Sequence, residues 1–415
     1  MTRRYRGAIA ALVVAVAALA VLAGGAAARP HASGSFKFFT HTGEQPAFTV
    51  LLKNFQKAYP DIKVNSSYGP AGAGYGPVLT TMIQAGNIPD VFYGNGGTGV
   101  LESILPLARA GKLLDLSKQP WAKRMPAASH DLFWIGKKLY GLQMDVSPTG
   151  LIYNATALQQ LGLKPPTTYA QLRAMCGKIT AAGKIAIAFP GAGGSTAMQA
   201  IAVSLGVNGA WNKERLAGKT TFAGTKQWLQ AYQRLLDLKK AGCFQPGAQA
   251  TGVPQALQLV GAGKALMFPA PSAAFATIQQ ISPGTTFKMI PFPGNTSKAP
   301  ALVTYSDAIS VSATASDKTA ALTFVNFLAR EGQSRLLAKL LGAVSIHDAN
   351  VGNLPDTMTA FAPYFKAKTT VARLSDGWPG AAPLTALNTA TSAVLSGQSS
   401  PTEALKSIDA AWPAK

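Results

Sequence analysis

Residues 35–95 alternate between strand and helix patterns, and this order constrains the fold more than any other feature of the chain. Ser35-Phe36-Lys37-Phe38-Phe39-Thr40 has a strand pattern and ends in the polar loop His41-Thr42-Gly43-Glu44-Gln45-Pro46. Phe48, Leu51, Leu52 and Phe55 follow at helical spacing, stopping at Tyr59-Pro60. Ile62-Lys63-Val64 predicts a second strand, residues 78–85 a helix, and Val91-Phe92-Tyr93 a third strand ending at Gly94-Asn95-Gly96-Gly97. Strands separated by helices pair in parallel, because a parallel neighbour is reached only by a crossover.

The alternation recurs downstream. Residues 168–182 and 225–241 predict helices, 185–189 and 265–268 strands, and 255–260 a further helical stretch. An alternating apolar segment covers 301–312, helices are expected at 318–330 and 333–341, and much of the remaining chain is helical. No short-period repeat or low-complexity linker interrupts the 415 residues, a length that suffices for two or three domains. Two α/β units joined by extended crossovers fit this order better than one large sheet. Between the strand patterns Lys138-Leu139-Tyr140-Gly141-Leu142 and Leu151-Ile152-Tyr153, the chain places Asp145, Ser147 and Pro148 with no tight-turn pair.

The N-terminus reads as an export signal over residues 1–28. Arg3, Arg4 and Arg6 precede the uncharged run 8–23, and Ala26-Ala27-Ala28 supplies small residues for cleavage. An uncleaved anchor is the alternative. No later stretch reaches the roughly 18 apolar residues of a membrane span, so the mature chain is expected outside the cytoplasm. The formal charge of +21 falls to +18 without the three signal arginines. The basic residues are dispersed as singles and pairs such as Lys123-Arg124 and Lys239-Lys240, which favours a solvated basic surface over a nucleic-acid interface. Cys176 and Cys243 have no zinc-site spacing, and export permits a disulfide between two helix ends, with two buried thiols as the alternative.

Ligands of open parallel sheets collect at the carboxyl ends of strands. His41, Glu44, Gln45, Asn95, Asp145, Phe189 and Ser195 lie at such ends, a set rich in amides, hydroxyls and carboxylates. Sugars need paired donors and acceptors for hydroxyls and aromatic faces for the ring. Trp211, Phe275, Tyr305 and Trp378 are the aromatic candidates, Trp378 foremost because Ser375-Asp376-Gly377-Trp378-Pro379-Gly380 reads as a loop. Enzymatic signals are weak: no Gly-x-Ser-x-Gly or His-Glu-x-x-His motif occurs, and the loop 191–196 lacks the lysine of a phosphate loop. Glu44 and Asp145 could in principle pair as a glycosidase acid and base. No metal or cofactor is implied.

Several segments, taken in order, resemble the extracellular solute-binding proteins of bacterial ABC importers, in particular the carbohydrate-binding, maltose-binding-protein-like group. They are Lys53-Asn54-Phe55-Gln56-Lys57-Ala58-Tyr59-Pro60-Asp61-Ile62, Ala85-Gly86-Asn87-Ile88-Pro89-Asp90-Val91, Gly136-Lys137-Lys138-Leu139-Tyr140-Gly141-Leu142 with Leu151-Ile152-Tyr153-Asn154, and Pro165-Pro166-Thr167-Thr168-Tyr169. Gly261-Ala262-Gly263-Lys264-Ala265-Leu266-Met267, residues 320–328, Leu341-Gly342-Ala343-Val344 and residues 395–405 extend the match to the C-terminus. Each is loose alone; together they span 36–412.

The resemblance implies a two-lobed type II periplasmic-binding-protein fold, with two parallel-rich sheets, extended interdomain crossovers and a cleft between lobes. Lobe 1 is expected at 36–145 plus 303–345, lobe 2 at 146–300 plus 346–415. The join at Asp145 becomes an interdomain crossing at the cleft floor, and Val303-Thr304-Tyr305-Ser306-Asp307-Ala308-Ile309 the return crossing, with Tyr305 and Asp307 near the same floor. The implied partners are a carbohydrate and an ABC permease, for a monomer without nucleic acid. An anionic solute such as a phosphorylated polyol, or a secreted carbohydrate-active enzyme, are the competing readings. Two departures stand out. Gly25 occupies the place of the modified cysteine of a lipid-attachment box, so no lipid anchor is expected there. Pro269-Ala270-Pro271-Ser272-Ala273-Ala274-Phe275 lacks the tryptophan that many sugar binders carry after that strand, and Phe275 is expected to substitute.

Overall fold

A computed structural model describes residues 33–414 apart from 72–73, 127–128 and 350. The expected export signal and Gly25 lie outside the described residues. No described helix is long and apolar enough to cross a membrane.

The first strand, β1 (Gly34–His41), buries Phe36, Phe38 and Phe39. The following helix, α1 (Gln45–Ala58), turns Phe48, Leu51 and Phe55 toward them, as their spacing dictates. Phe38 lies 4.7 Å from Phe48 between ring centroids. β2 (Ile62–Gly69), α2 (Tyr75–Gln84) and β3 (Val91–Asn95) complete the unit, and β2 and β3 pair in parallel with β1. Fully burying each of these large apolar side chains contributes about 1.5–3 kcal/mol.

The short strand β4 (Leu142–Gln143) ends this unit, and β5 (Ser147–Asn154) opens the next. The second sheet then gathers β6 (Ile185–Ile187), β7 (Ala265–Pro271), β8 (Phe287–Pro291) and β9 (Ala301–Thr304). From β9 the chain returns to the first sheet as β10 (Asp307–Val311), and β11 (Thr370–Ala372) later joins the second. The orders are β2-β1-β3-β10-β4 and β11-β9-β5-β7-β6, with β8 also on β5. The lobes are therefore joined at 143–147, at 304–307 and a third time between β10 and β11.

The sheets are less parallel than expected. Only β2-β1-β3, β9-β11 and β6-β7 run parallel; the crossing strands β10 and β5 meet all their neighbours antiparallel. A strand that has just crossed from the other lobe enters its sheet from the cleft side, opposite to strands that end there. Local signals set several helix starts: Asn154 caps Ala155–Gln160, and Thr168 with Gln171 forms a capping box on Tyr169–Ala181. Cys176 in that helix is bonded to Cys243, just past the helix Lys226–Lys240, with Cα atoms 5.0 Å apart.

Candidate functional site

The crossings bring chemistry to one point. The loop after β1 carries Glu44, the first crossing carries Asp145, and β10 begins with Asp307. All three carboxylates line a cavity of about 210 Å³ together with His41 and Tyr93. Ala273, Ala276, Thr277 and Gln280, from the turn after β7 and the helix Ala274–Ile281, close it from the second lobe.

Each wall residue is held differently. Glu44 accepts a hydrogen bond from the Thr40 hydroxyl, and its other oxygen lies 3.6 Å from His41 Nε2. The Tyr93 hydroxyl lies 2.6 Å from Asn95 Oδ1 and 2.9 Å from Asp307 Oδ1. Among the described residues, nothing donates to the Asp145 carboxylate, which is only 2 % exposed. Burial pushes Glu44 up to about 8, with Asp307 adding to the shift and Thr40 opposing it. Burial likewise raises Asp145 well above the carboxylate range, helped by Asp307 and then Glu44. Burial lowers the pKa of His41, although Asp307 pulls the other way. The floor is thus a compact acidic site with a neutral imidazole at its edge.

A second polar group sits beside the return crossing. Arg373, half-buried, pairs with Asp376 at 2.5 Å and donates to Ser306 at 2.9 Å. Burial works against the Arg373 charge, but Asp376 and Asp307 hold its pKa up. Burial lifts Asp376 to about 6 against the pull of Arg373. Here the lobes touch. The Thr98 amide donates to Asp376 O at 2.8 Å and the Thr98 hydroxyl to Trp378 O at 2.6 Å. Gly97, at φ +82°, and Gly99 permit this approach, since a Cβ on either would fall within 2 Å of a facing carbonyl oxygen. Two larger spaces flank the floor: a cleft of about 840 Å³ between Thr98, Arg109, Asn212 and Arg373, and a groove of about 570 Å³ between Phe275, Gln279, Arg335 and Met358.

Of the residues singled out in the sequence, His41, Glu44 and Asp145 share the floor, with Asn95 one hydrogen bond away through Tyr93. Gln45 is exposed at the start of α1 and does not line the cavity. The tryptophans correct the expectation most sharply. Trp378 is 0 % exposed, its ring packed on Phe222 and Trp412, and Trp211 is buried against Phe222 and Trp228. The turn Leu374–Gly377 directs the Trp378 ring into the second lobe, so it offers no face to a ligand. Phe189 is core, packed on Phe244, and the backbone amide of buried Ser195 donates to Asn388 Oδ1. Phe275 faces the 570 Å³ groove. Tyr305 is buried at the crossing with its hydroxyl 3.3 Å from Thr370 Oγ1. Ser147, at the join, lies 3.0 Å from Ser272 Oγ and accepts from the Ala273 amide, leaving Asp145 as the cavity-facing group there. Tyr93, Arg373 and Asp376 were missed as site residues. The i,i+3 spacing of Arg373 and Asp376 was the one available signal.

Residues 40–334 match the family model for bacterial extracellular solute-binding proteins. The chain belongs to that family. Among curated relatives, the multiple sugar-binding protein of Streptococcus mutans is 24 % identical over 274 residues, covering 63 % of this chain and 62 % of its own. A probable sugar-binding periplasmic protein of Rhizobium meliloti is 27 % identical over 68 % of each chain. The chain thus spans less than two thirds of the length of the Streptococcus mutans relative. In structure, RafE in complex with raffinose superposes with a TM-score of 0.74 at 20 % identity, covering 92 % of this chain and 99 % of that one. The GacH receptor of Streptomyces glaucescens gives 0.75 at 18 % identity, over 92 % and 98 %. These likenesses establish the two-lobed fold of the family.

Proposed function

We propose that this chain is the extracytoplasmic capture component of an ABC importer, reversibly binding a sugar or oligosaccharide between its lobes and presenting it to a permease. The observation that carries the reading is the floor cavity, where acceptors from one lobe and from both crossings face a hydroxyl and an amide of the other lobe. A ligand touching both lobes stabilises the closed arrangement, which is the signal a permease can read. The sugar-binding relatives support the same class. Export by the residues 1–28 and action as a monomer complete the proposal.

An anionic ligand is disfavoured by three carboxylates and, among the described residues, no lysine or arginine in the lining. Covalent chemistry is disfavoured as well: a hydrolytic acid and base need pKa values pushed apart, whereas burial drives Glu44 and Asp145 the same way.

A thermal-shift panel of mono- and oligosaccharides, polyols and sugar phosphates, each mixture checked for turnover, tests this. A ligand at about 100 times its Kd stabilises by roughly 2.7 kcal/mol, so a raised Tm without conversion is expected for at least one saccharide. Conversion of the saccharide, or a shift confined to the phosphates, would overturn the reading.

A further inference from the structure

The floor cavity has a charge problem that the protein does not solve. Three of the chain's 17 carboxylate side chains converge there, although 38 lysines and arginines were available to balance them. Glu44 is satisfied by Thr40, and Asp307 by Tyr93. Asp145 is more than nine-tenths buried, faces the cavity, and has no hydrogen-bond or ion-pair partner among the described residues. A buried carboxylate left in that state is costly and survives only by holding a proton or meeting a cation from outside.

The groups packed around it do not supply the cation. His41 is held toward neutrality by burial. Arg373 is engaged by Asp376 and Ser306 and does not line the cavity, although its charge reaches Asp307. Glu102, itself raised by burial, adds another acid within electrostatic reach of Asp307, and the phenols of Tyr75 and Tyr93 stay protonated. Among the described residues the second lobe closes the cavity with Ala273, Ala276, Thr277 and Gln280, all uncharged. Among the described residues no acidic cluster has the arrangement of a metal site. A void of about 210 Å³ lies below the roughly 300–1,000 Å³ of a drug-sized ligand site, which suits one ring or one end of a larger molecule.

We propose that this cavity receives the ammonium group of an amine-bearing saccharide, with Asp145 as its principal counter-charge and Glu44 and Asp307 completing the acidic floor. This rests on the carbohydrate reading and narrows it to amino sugars and amino-substituted oligosaccharides. The protonated amine replaces the protons that Glu44 and Asp145 otherwise retain. Binding near neutral pH therefore releases protons to solvent, and affinity rises with pH until the amine itself loses its charge.

Calorimetry of the secreted protein with glucosamine, N-acetylglucosamine and glucose, and with the corresponding disaccharides, tests the inference. Titrations run in two buffers of different ionisation enthalpy report the protons released. The free-amine member of a set is expected to bind at least tenfold tighter than both neutral members, with proton release, and Asp145→Asn should bring that ratio toward one. Equal or tighter binding of the neutral sugars, without proton release, overturns the amine inference and leaves the carbohydrate reading standing. Binding of methylammonium with no saccharide of either kind does the reverse. A ligand-free measurement decides the case if no probe binds. An unmatched Asp145 predicts that Asp145→Asn raises Tm at pH 8, and a lowered Tm would mean that the protein neutralises Asp145 itself, which overturns the site.

Discussion

The acidic floor and the tryptophan cluster of the second lobe are both buried and both rich in residues that bind sugars, yet they are built on opposite principles. In the cluster, Trp211, Phe222, Trp228, Trp378 and Trp412 pack ring against ring, and most polar atoms find partners. Trp378 Nε1 donates to Asn212 Oδ1 at 2.9 Å, Trp211 Nε1 donates to Thr225 Oγ1 at 2.8 Å, and Arg215 lies over Trp412 while pairing with Asp409. Trp228 Nε1 and Arg215 Nε are the exceptions. On the floor, compensation is incomplete: two carboxylates are driven up in pKa by burial, and one has no partner among the described residues. Residue type does not separate structure from site here. The balance of polar groups does, because a group that has found its partner inside the chain has little left to offer a ligand.

The largest test of that contrast is Trp378→Ala. Removing a fully buried tryptophan should cost about 3–5 kcal/mol in urea unfolding, because it opens a cavity beside Phe222 and strands Asn212. Saccharide affinity of the folded fraction should hold. Lost affinity with unchanged stability would break the comparison and return Trp378 to the site.

Glu44→Gln probes the other region through pH. Glu44 keeps its proton up to about 8 when folded, against an ordinary 4.5. Between those values the folded state binds more protons than the unfolded one, so this residue's contribution is most favourable below 4.5, declines as pH rises, and is fully lost above 8. At about 1.4 kcal/mol per pKa unit, the wild type should lose roughly 3 kcal/mol more than the variant between pH 5 and 8. Parallel pH profiles from urea midpoints would show that Glu44 ionises freely and that the floor is not strained.

Much of this was legible in the chain because burial period leaves a local trace. Phe36 and Phe38 alternate, Phe48, Leu51 and Phe55 recur at helical spacing, and the polar join at Asp145 stands out between apolar strands. The site was half legible for the same reason. His41, Glu44 and Asp145 announce themselves at strand ends, where polar residues interrupt apolar runs. Tyr93 does not, because β3 is buried along its whole length and reads as uniform core; its partner Asp307 is 214 positions away. Trp378 misled because loop composition says nothing about where a ring points. One short turn, Leu374–Gly377, decides that, and its depth depends on Phe222 and Trp412 arriving from elsewhere in the lobe.

The smallest effect is expected where the two regions meet. Thr98 follows β3 of the first lobe, and its hydroxyl donates to the carbonyl of Trp378 in the second, while its own carbonyl accepts from the Gly380 amide at 3.1 Å. Thr98→Val removes the side-chain bond and leaves both backbone bonds, a change worth about 0.5–1.5 kcal/mol. If the seam is part of a hinge, that energy belongs to the closed arrangement alone. Apparent affinity should then fall about two- to tenfold, with the radius of gyration of the unliganded protein in small-angle scattering shifting toward the open form. If the seam is fixed structure, the same energy appears in the unfolding free energy, with affinity and scattering unmoved. That result would assign Thr98 to the satisfied, structural side of the contrast, and confine ligand-driven motion to the acidic floor and the Thr277 and Gln280 that line it from the second lobe.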